Sequence, residues 1–97
     1  MKPKWLACPE DLPEAAKAFW NSHAVALHAA ECLTRHNTTE FSILCHLVAI
    51  ITVASAEIHA SGVVITTPSG AKKANPACGV LLSAQRQAAP LLQRFCL

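Results

Sequence analysis

Charged residues are scarce in this chain of 97 residues: they make up 14% of it, against roughly 25% in an ordinary soluble domain. Lysine and arginine number 8 and aspartate and glutamate 6, so the formal net charge is only +2. No clustered basic face of a dedicated nucleic-acid binder is evident, although a ring of copies would multiply a weak charge. The apolar share is 53%. A chain of this length buries only ~60–65% of its unfolded surface, so this apolar excess predicts a partner subunit or a membrane.

Glycine is also rare, occurring only at Gly62, Gly70 and Gly79. No G-x-x-x-x-G-K-[ST] segment is present to cradle a nucleotide phosphate. Cysteine and histidine are frequent, but a catalytic cysteine needs a base and an oxyanion site that no sequence spacing here indicates. We therefore predict that the chain is not an enzyme.

The five cysteines form no C-x-x-C pair, and the N-terminus lacks the apolar run of a secretory signal. Reduced thiols in a cytoplasm are therefore the expectation. His28 and Cys32 lie four residues apart on one helix face and could supply two zinc ligands, but no second pair has a recognisable spacing. We predict no metal and no other cofactor, and keep a small metal- or thiol-dependent protein as an open alternative.

The spacing of apolar residues predicts a first helix from Pro13 to about Leu33, after an irregular lead-in over residues 1–12. Pro13 suits the first turn of a helix, where its missing N–H costs nothing. A second helix is predicted from about Thr39 to Ala60, with a threonine cap at its start and Gly62 at its end. Residues 13–61 are thus expected to form a helical hairpin.

The period changes after Gly62, because Val63–Thr67 is β-branched throughout and favours an extended strand. Pro68–Gly70 predicts a turn, and residues 62–75 together predict a β-arm. Asn75 and Pro76 then predict the cap and first position of a third helix over residues 76–97, which Pro90 should kink or split. The expected fold is mainly α, with three helices and a short β-hairpin-like arm between the second and the third.

Five segments between about residue 12 and residue 97 follow one another in a fixed order: the helix start Leu12–Trp20, Gly62 with Val64, the turn Thr67–Gly70, Asn75–Ala77 and the ending Leu91–Leu97. Taken in this order, they resemble the P27-type family of phage terminase small subunits. The chain departs from the family pattern where Cys96 stands in place of a glycine. Its helices also carry alanine, cysteine and histidine where charged and aromatic residues are usual.

The resemblance implies one small-subunit domain over residues 1–97, which acts in the host cytoplasm during viral genome packaging. It implies a homo-oligomeric ring that binds viral double-stranded DNA and regulates the terminase large subunit, which carries the catalytic activities.

Candidate DNA contacts are basic residues on the first helix, in the joint between the first two helices, and beyond the turn of the arm: Lys17, Arg35, Lys72 and Lys73. Exposed cations of this kind contact phosphate and carry no base specificity. Candidate contacts between subunits are apolar residues of the second helix and the arm: Phe41, Leu44, Val48, Ile51, Val64 and Ile65. Strand edges such as the arm readily pair between chains.

The apolar run over residues 41–56 leaves a rival hypothesis, a small membrane-associated protein. A spanning helix needs ~20 mostly apolar residues, whereas this run is shorter and contains His46. A central helix covered by its neighbours and by another subunit fits the run better, so we expect no membrane association.

Overall fold

The computed structural model describes residues 3–97. Three α-helices dominate, α1 (Glu14–Ala29), α2 (Thr38–Ser61) and α3 (Pro76–Arg94), with strands β1 (Val64–Thr66) and β2 (Lys72–Ala74) between α2 and α3. The predicted mainly α class and the position of the arm are confirmed. A short 3-10 turn, Lys4–Leu6, precedes α1, and the first two residues of the expected lead-in lie outside the described residues.

Helix α1 buries a stripe of apolar side chains at helical spacing, Ala16, Trp20, Ala24 and Leu27. The lead-in is attached to this stripe, because the indole N–H of Trp20 donates a buried hydrogen bond of 3.0 Å to the Leu6 carbonyl. Pro13 occupies the N-cap position and not the first helical turn. The predicted start of the helix is therefore one residue too early.

Helix α1 ends four residues before the predicted boundary, in a Schellman motif. The Cys32 N–H donates to the Leu27 carbonyl and the Glu31 N–H to the His28 carbonyl. Glu31 takes the left-handed conformation that closes this motif, with φ of 62°. Because the motif normally uses glycine, the helix end could not be recognised from composition.

The predicted threonine cap of α2 is wrong. Asn37 holds the N-cap position and Thr38 is the first helical residue. The Asn37 side chain makes no capping bond to α2. It accepts from the Thr34 N–H at 2.7 Å and donates to the Cys32 carbonyl at 3.0 Å, so it orders the α1–α2 connection instead.

Gly62 ends α2 as predicted, with φ of 84° and its N–H bonded to the Ile58 carbonyl at 2.7 Å. The two strands then form an antiparallel hairpin in which Ile65 faces Lys73 and Thr66 faces Lys72. The hairpin loop contains Gly70 at φ of 85°, the left-handed conformation that commonly follows a type I turn in such loops.

Asn75 caps α3 as predicted, because its side-chain oxygen accepts from the Ala77 N–H at 3.0 Å. Helix α3 runs unbroken through Pro90, so the predicted split does not occur. Ala84, Ala88 and Phe95, on both sides of the proline, are buried in the core. Packing therefore holds the two parts of α3 together although one ladder bond is missing.

The core lies where the three helices meet, around the fully buried ring of Phe41. Its centroid is 4.9 Å from that of Trp20 and 5.3 Å from that of Phe95. The molecule is nevertheless elongated, 59 × 24 × 17 Å, with a radius of gyration of 16.5 Å. A compact domain of this length has a radius of gyration of about 12.5 Å. Because the radius of gyration is larger than that of a compact domain, some helix faces stay uncovered, including one face of α2.

Candidate assembly and nucleic-acid surfaces

Helix α2 carries an exposed apolar stripe along the side that faces away from the core. Ile43, Ile50 and Val53 are 49%, 43% and 68% exposed. With the exposed His46 and Glu57 they repeat at alternating spacings of three and four residues, the spacing of a helix seam that packs against another helix. We call these five residues the α2 stripe.

Four residues of the α2 stripe form one wall of a groove: His46, Ile50, Val53 and Glu57. Val80, which is 50% exposed, and Ala77 of α3 form the opposite wall, and Pro13 adds the start of α1. The groove has a volume of about 470 Å³ and is lined mainly by carbon, with His46 and Glu57 as its polar residues. Contiguous apolar surface of this kind marks an interaction site more often than a free surface.

The subunit contacts predicted from the sequence divide by burial. Phe41 and Leu44 are fully buried within the core of a single chain, so a second copy has no access to them in this fold. Val48 and Ile51 are partly buried and pack against the same core. Val64 is 55% exposed on the hairpin and Ile65 is half-buried.

The sequence interpretation missed the α2 stripe, although the signal for it was present. It expected another subunit to cover part of the apolar run, but the residues it named on α2 were Phe41, Leu44, Val48 and Ile51. The period-seven spacing of Ile43, Ile50 and Glu57 indicates a second face of the same helix.

The two lysines of the hairpin lie on opposite faces of it. Side chains alternate along a strand, and residues opposite one another in the register share a face. Lys73 therefore shares a face with Ile65, and Lys72 shares the other face with Val64 and Thr66. Both lysines are exposed. One phosphate cannot engage both of them from one side of the arm.

Arg35 and the two hairpin lysines form two groups of predicted DNA contacts at opposite ends of α2. Arg35 is exposed in the connection that precedes α2, whereas Lys72 and Lys73 follow its far end. A helix of 24 residues is about 36 Å long, so the two groups cannot meet. Lys17 lies towards the start of α2 and away from the hairpin, because Trp20, one turn further along α1, packs its ring 4.9 Å from that of Phe41.

Two basic side chains form ion pairs with carboxylates. Lys17 lies 4.0 Å from Glu14, an exposed pair that is worth little in water. At the start of α2, Arg94 of α3 forms an ion pair with Glu40, in the first turn of α2. Arg86, on the exposed side of α3, is a further cation that the sequence interpretation did not consider.

Residues 3–97 contain no group of three or more histidine, cysteine, aspartate or glutamate side chains arranged to hold a metal ion. His28, considered with Cys32 as a zinc pair, instead packs its ring 5.2 Å from that of Trp5. Cys45 is fully buried, and burial raises the pKa of its thiol from 9.0 to about 12. It is therefore an apolar core residue and not a nucleophile.

Helix α2 is long and apolar enough to cross a membrane by length and composition alone, with a mean hydropathy of 2.0 over its best window. Core helices of soluble proteins meet the same criterion. Six residues of α2 are buried within the fold, including Phe41, Leu47 and Ala54. This burial does not favour the membrane hypothesis.

Comparison with known protein families identifies one of them. Residues 16–97, all but the first fifteen residues, match the family described as phage terminase, small subunit. The match includes all of α2, the hairpin and α3. The chain therefore belongs to the phage terminase small subunit family, and its role is in phage DNA packaging. No curated protein and no solved structure matches it.

Proposed function

We propose that this chain is a non-catalytic terminase small subunit of P27 type that assembles into a homo-oligomeric ring. The ring binds viral double-stranded DNA in the host cytoplasm and regulates the terminase large subunit during packaging. The observation that carries the proposal is the exposed α2 stripe with its groove, in a chain whose family packages DNA.

A second copy of the chain is the occupant that suits this surface best. Ile50, Val53 and Val80 would expose apolar surface to water in an isolated chain, and each buried CH₂ group contributes about 0.8 kcal/mol. The elongated shape leaves this surface open along the molecule. A head-to-tail contact of this kind, repeated around an axis, closes a ring when its rotation divides a full turn.

The hairpin end is the better candidate for DNA contact. Lys72 and Lys73 lie at this end of α2, so a ring would repeat these positive charges on one side. Contacts of this kind bind phosphates without reading bases, and their affinity depends on salt. Arg35, at the opposite end, would contribute to a separate surface.

Size-exclusion chromatography with light scattering tests the assembly. The unchanged chain should elute as an oligomer, and Ile50→Asp should dissociate it because a charge cannot be buried in an apolar contact. Val25→Asp is the matched control, since Val25 is an exposed valine on α1 outside the groove. If the protein without substitutions elutes as a monomer in dilute salt, the ring model is refuted.

DNA binding is tested by mobility shift with phage-end DNA at several salt concentrations. Replacing Lys72 and Lys73 by alanine should weaken binding and reduce the salt slope by about 1 for each phosphate that is no longer neutralised. Gln87→Ala, a neutral exposed change on α3, serves as control. Binding that stays unchanged at high salt would exclude phosphate contact as its basis.

Regulation of the large subunit is tested by measuring ATP hydrolysis by that subunit with and without this chain. The chain alone should hydrolyse no ATP and cut no DNA, whereas its addition should change the rate of the large subunit. Ile50→Asp distinguishes whether that effect needs the assembled ring.

A further inference from the structure

Two cysteines distant in sequence meet where α1 and α3 end. The Cys32 thiol donates a hydrogen bond to the Cys96 sulfur, and the two Sγ atoms are 3.3 Å apart. The other three cysteines make no sulfur–sulfur hydrogen bond within residues 3–97. The sulfurs of Cys32 and Cys96 are therefore the described pair that is placed to bond.

The backbone at both positions belongs to the same kind of helix ending. The Cys96 N–H donates to the Gln93 carbonyl and the Leu97 N–H to the Leu92 carbonyl, so α3 ends in a Schellman motif with Cys96 at its left-handed position. Cys96 has φ of 61°, where glycine is the favoured residue. Cys32 is the last residue of the corresponding motif of α1.

We propose that Cys32 and Cys96 are a redox-sensitive pair that forms a reversible disulfide inside one chain when a peroxide is present. A disulfide needs its sulfurs at about 2.05 Å, so they must approach by little more than 1 Å. Cys96 is exposed, near the end of the chain, and a small rotation of its side chain can supply this movement. The left-handed conformation of Cys96 thus carries a thiol at a position where glycine would carry none.

The reaction balances with hydrogen peroxide as the oxidant. The exposed Cys96 sulfur attacks one peroxide oxygen, the O–O bond breaks, and a sulfenic acid and one water form. The Cys32 sulfur then attacks the Cys96 sulfur, loses its proton and releases a second water as the S–S bond forms. Two thiols are oxidised and one peroxide is reduced to two waters. A thiol reductant reverses the bond by exchange.

The hydrogen bond to Cys96 raises the pKa of Cys32 above its ordinary value. Less thiolate is then present at neutral pH, so closure should be slow there and should accelerate as the pH rises.

The bond would fix the end of α3 to the α1–α2 connection. Phe95 and Arg94 already join the end of α3 to the start of α2, through Phe41 and through Glu40. A covalent link between residues 64 positions apart restricts the unfolded chain and should raise the melting temperature by on the order of 10 °C. The C-terminal turn would thus be held in place under oxidising conditions.

The test treats the full-length reduced protein with hydrogen peroxide, blocks free thiols, and maps peptides by mass spectrometry. The expected product joins Cys32 to Cys96, has lost two hydrogens, melts at a higher temperature and returns to the starting mass with reductant. Cys32→Ser and Cys96→Ser should each abolish it, and Cys78→Ser, the matched control, should retain it.

Circular dichroism of each variant before oxidation establishes that it is folded. A folded unchanged protein in which Cys32 and Cys96 stay free, or pair with other cysteines or between chains, would overturn the proposal. An oxidised product that melts at the same temperature as the reduced protein would overturn the role assigned to the bond.

Discussion

The ring of Phe95 meets the ring of Phe41 edge-on, with centroids 5.3 Å apart and planes inclined at 62°. Phe95 follows the last residue of α3 and Phe41 lies in the first turn of α2, and both are fully buried. This contact joins the end of the chain to its centre. Edge-to-face pairs add about 0.5–1.5 kcal/mol beyond the area they bury.

Phe95→Ala should therefore destabilise the fold by about 3–5 kcal/mol, because it removes a buried ring and leaves a cavity beside Phe41. Leu97→Ala is the matched control, since Leu97 is 45% exposed two residues later, and it should cost less than about 1 kcal/mol. Urea unfolding followed by circular dichroism measures both. If Phe95→Ala and Leu97→Ala lower the free energy of unfolding equally, Phe95 has no special role in the core.

Asn75 provides a second prediction, because its side chain makes two bonds of different kinds. Its nitrogen donates to the Gly62 carbonyl at 2.8 Å and its oxygen caps α3 through the Ala77 N–H. Asn75→Ala should lower the free energy of unfolding by about 1–2 kcal/mol or more, since it removes both hydrogen bonds at a buried position.

Asn75→Asp separates the two bonds, because a carboxylate keeps the capping acceptor and loses the donor to Gly62. Hydrogen exchange should then show faster opening of the hairpin amides while the first turn of α3 stays protected. Equal loss of protection in both segments would show that the two bonds do not act separately.

Glu31 provides a third prediction, through its backbone. Its φ of 62° is unfavourable for a residue with a Cβ atom, and the side chain is exposed. Glu31→Gly should stabilise the fold by about 1 kcal/mol. Glu31→Ala removes the same charge but keeps the Cβ atom, so it should not stabilise. Thermal unfolding of the two variants side by side gives the comparison. A higher melting temperature for both variants would show that the lost charge, and not the backbone, causes the stabilisation.

Cys45 provides a fourth prediction, on pH. Its folded pKa is raised to about 12 from 9.0, so folding favours the protonated thiol. This stability is fully present below about pH 9 and is lost as the pH rises towards 12. The difference in unfolding free energy between the unchanged chain and Cys45→Ala should thus narrow between about pH 9 and pH 11. A constant difference would show that Cys45 is not desolvated as its burial implies.

The helices and the arm were predictable because their signals are local. Gly62 and Asn75 specify a helix end and a helix start by their own backbone chemistry, and β-branched residues mark the strand between them. The end of α1 was missed because Glu31 adopts a conformation that its side chain disfavours. The cap of α2 was missed because Asn37 bonds backwards to the preceding connection, which no local pattern indicates.

The candidate surfaces were less predictable, because burial depends on which faces of a helix its neighbours cover. The apolar run of α2 carries two faces in one segment: Phe41 and Leu44 are covered by the rest of the fold, whereas Ile50 and Val53 are not. Hydropathy alone does not separate them. The proximity of Cys32 to Cys96 depends on how the three helices pack together and has no sequence signature.

The two bonds of Asn75 also determine how the arm can move. A hairpin joined to α2 and α3 by unrestrained backbone would swing as a tether, but here the residue that starts α3 is also bonded to the residue that ends α2. The arm is thereby held at one angle to both helices. In a ring of identical copies every arm would project at that common angle, so the spacing of the lysines would be set by the symmetry of the ring.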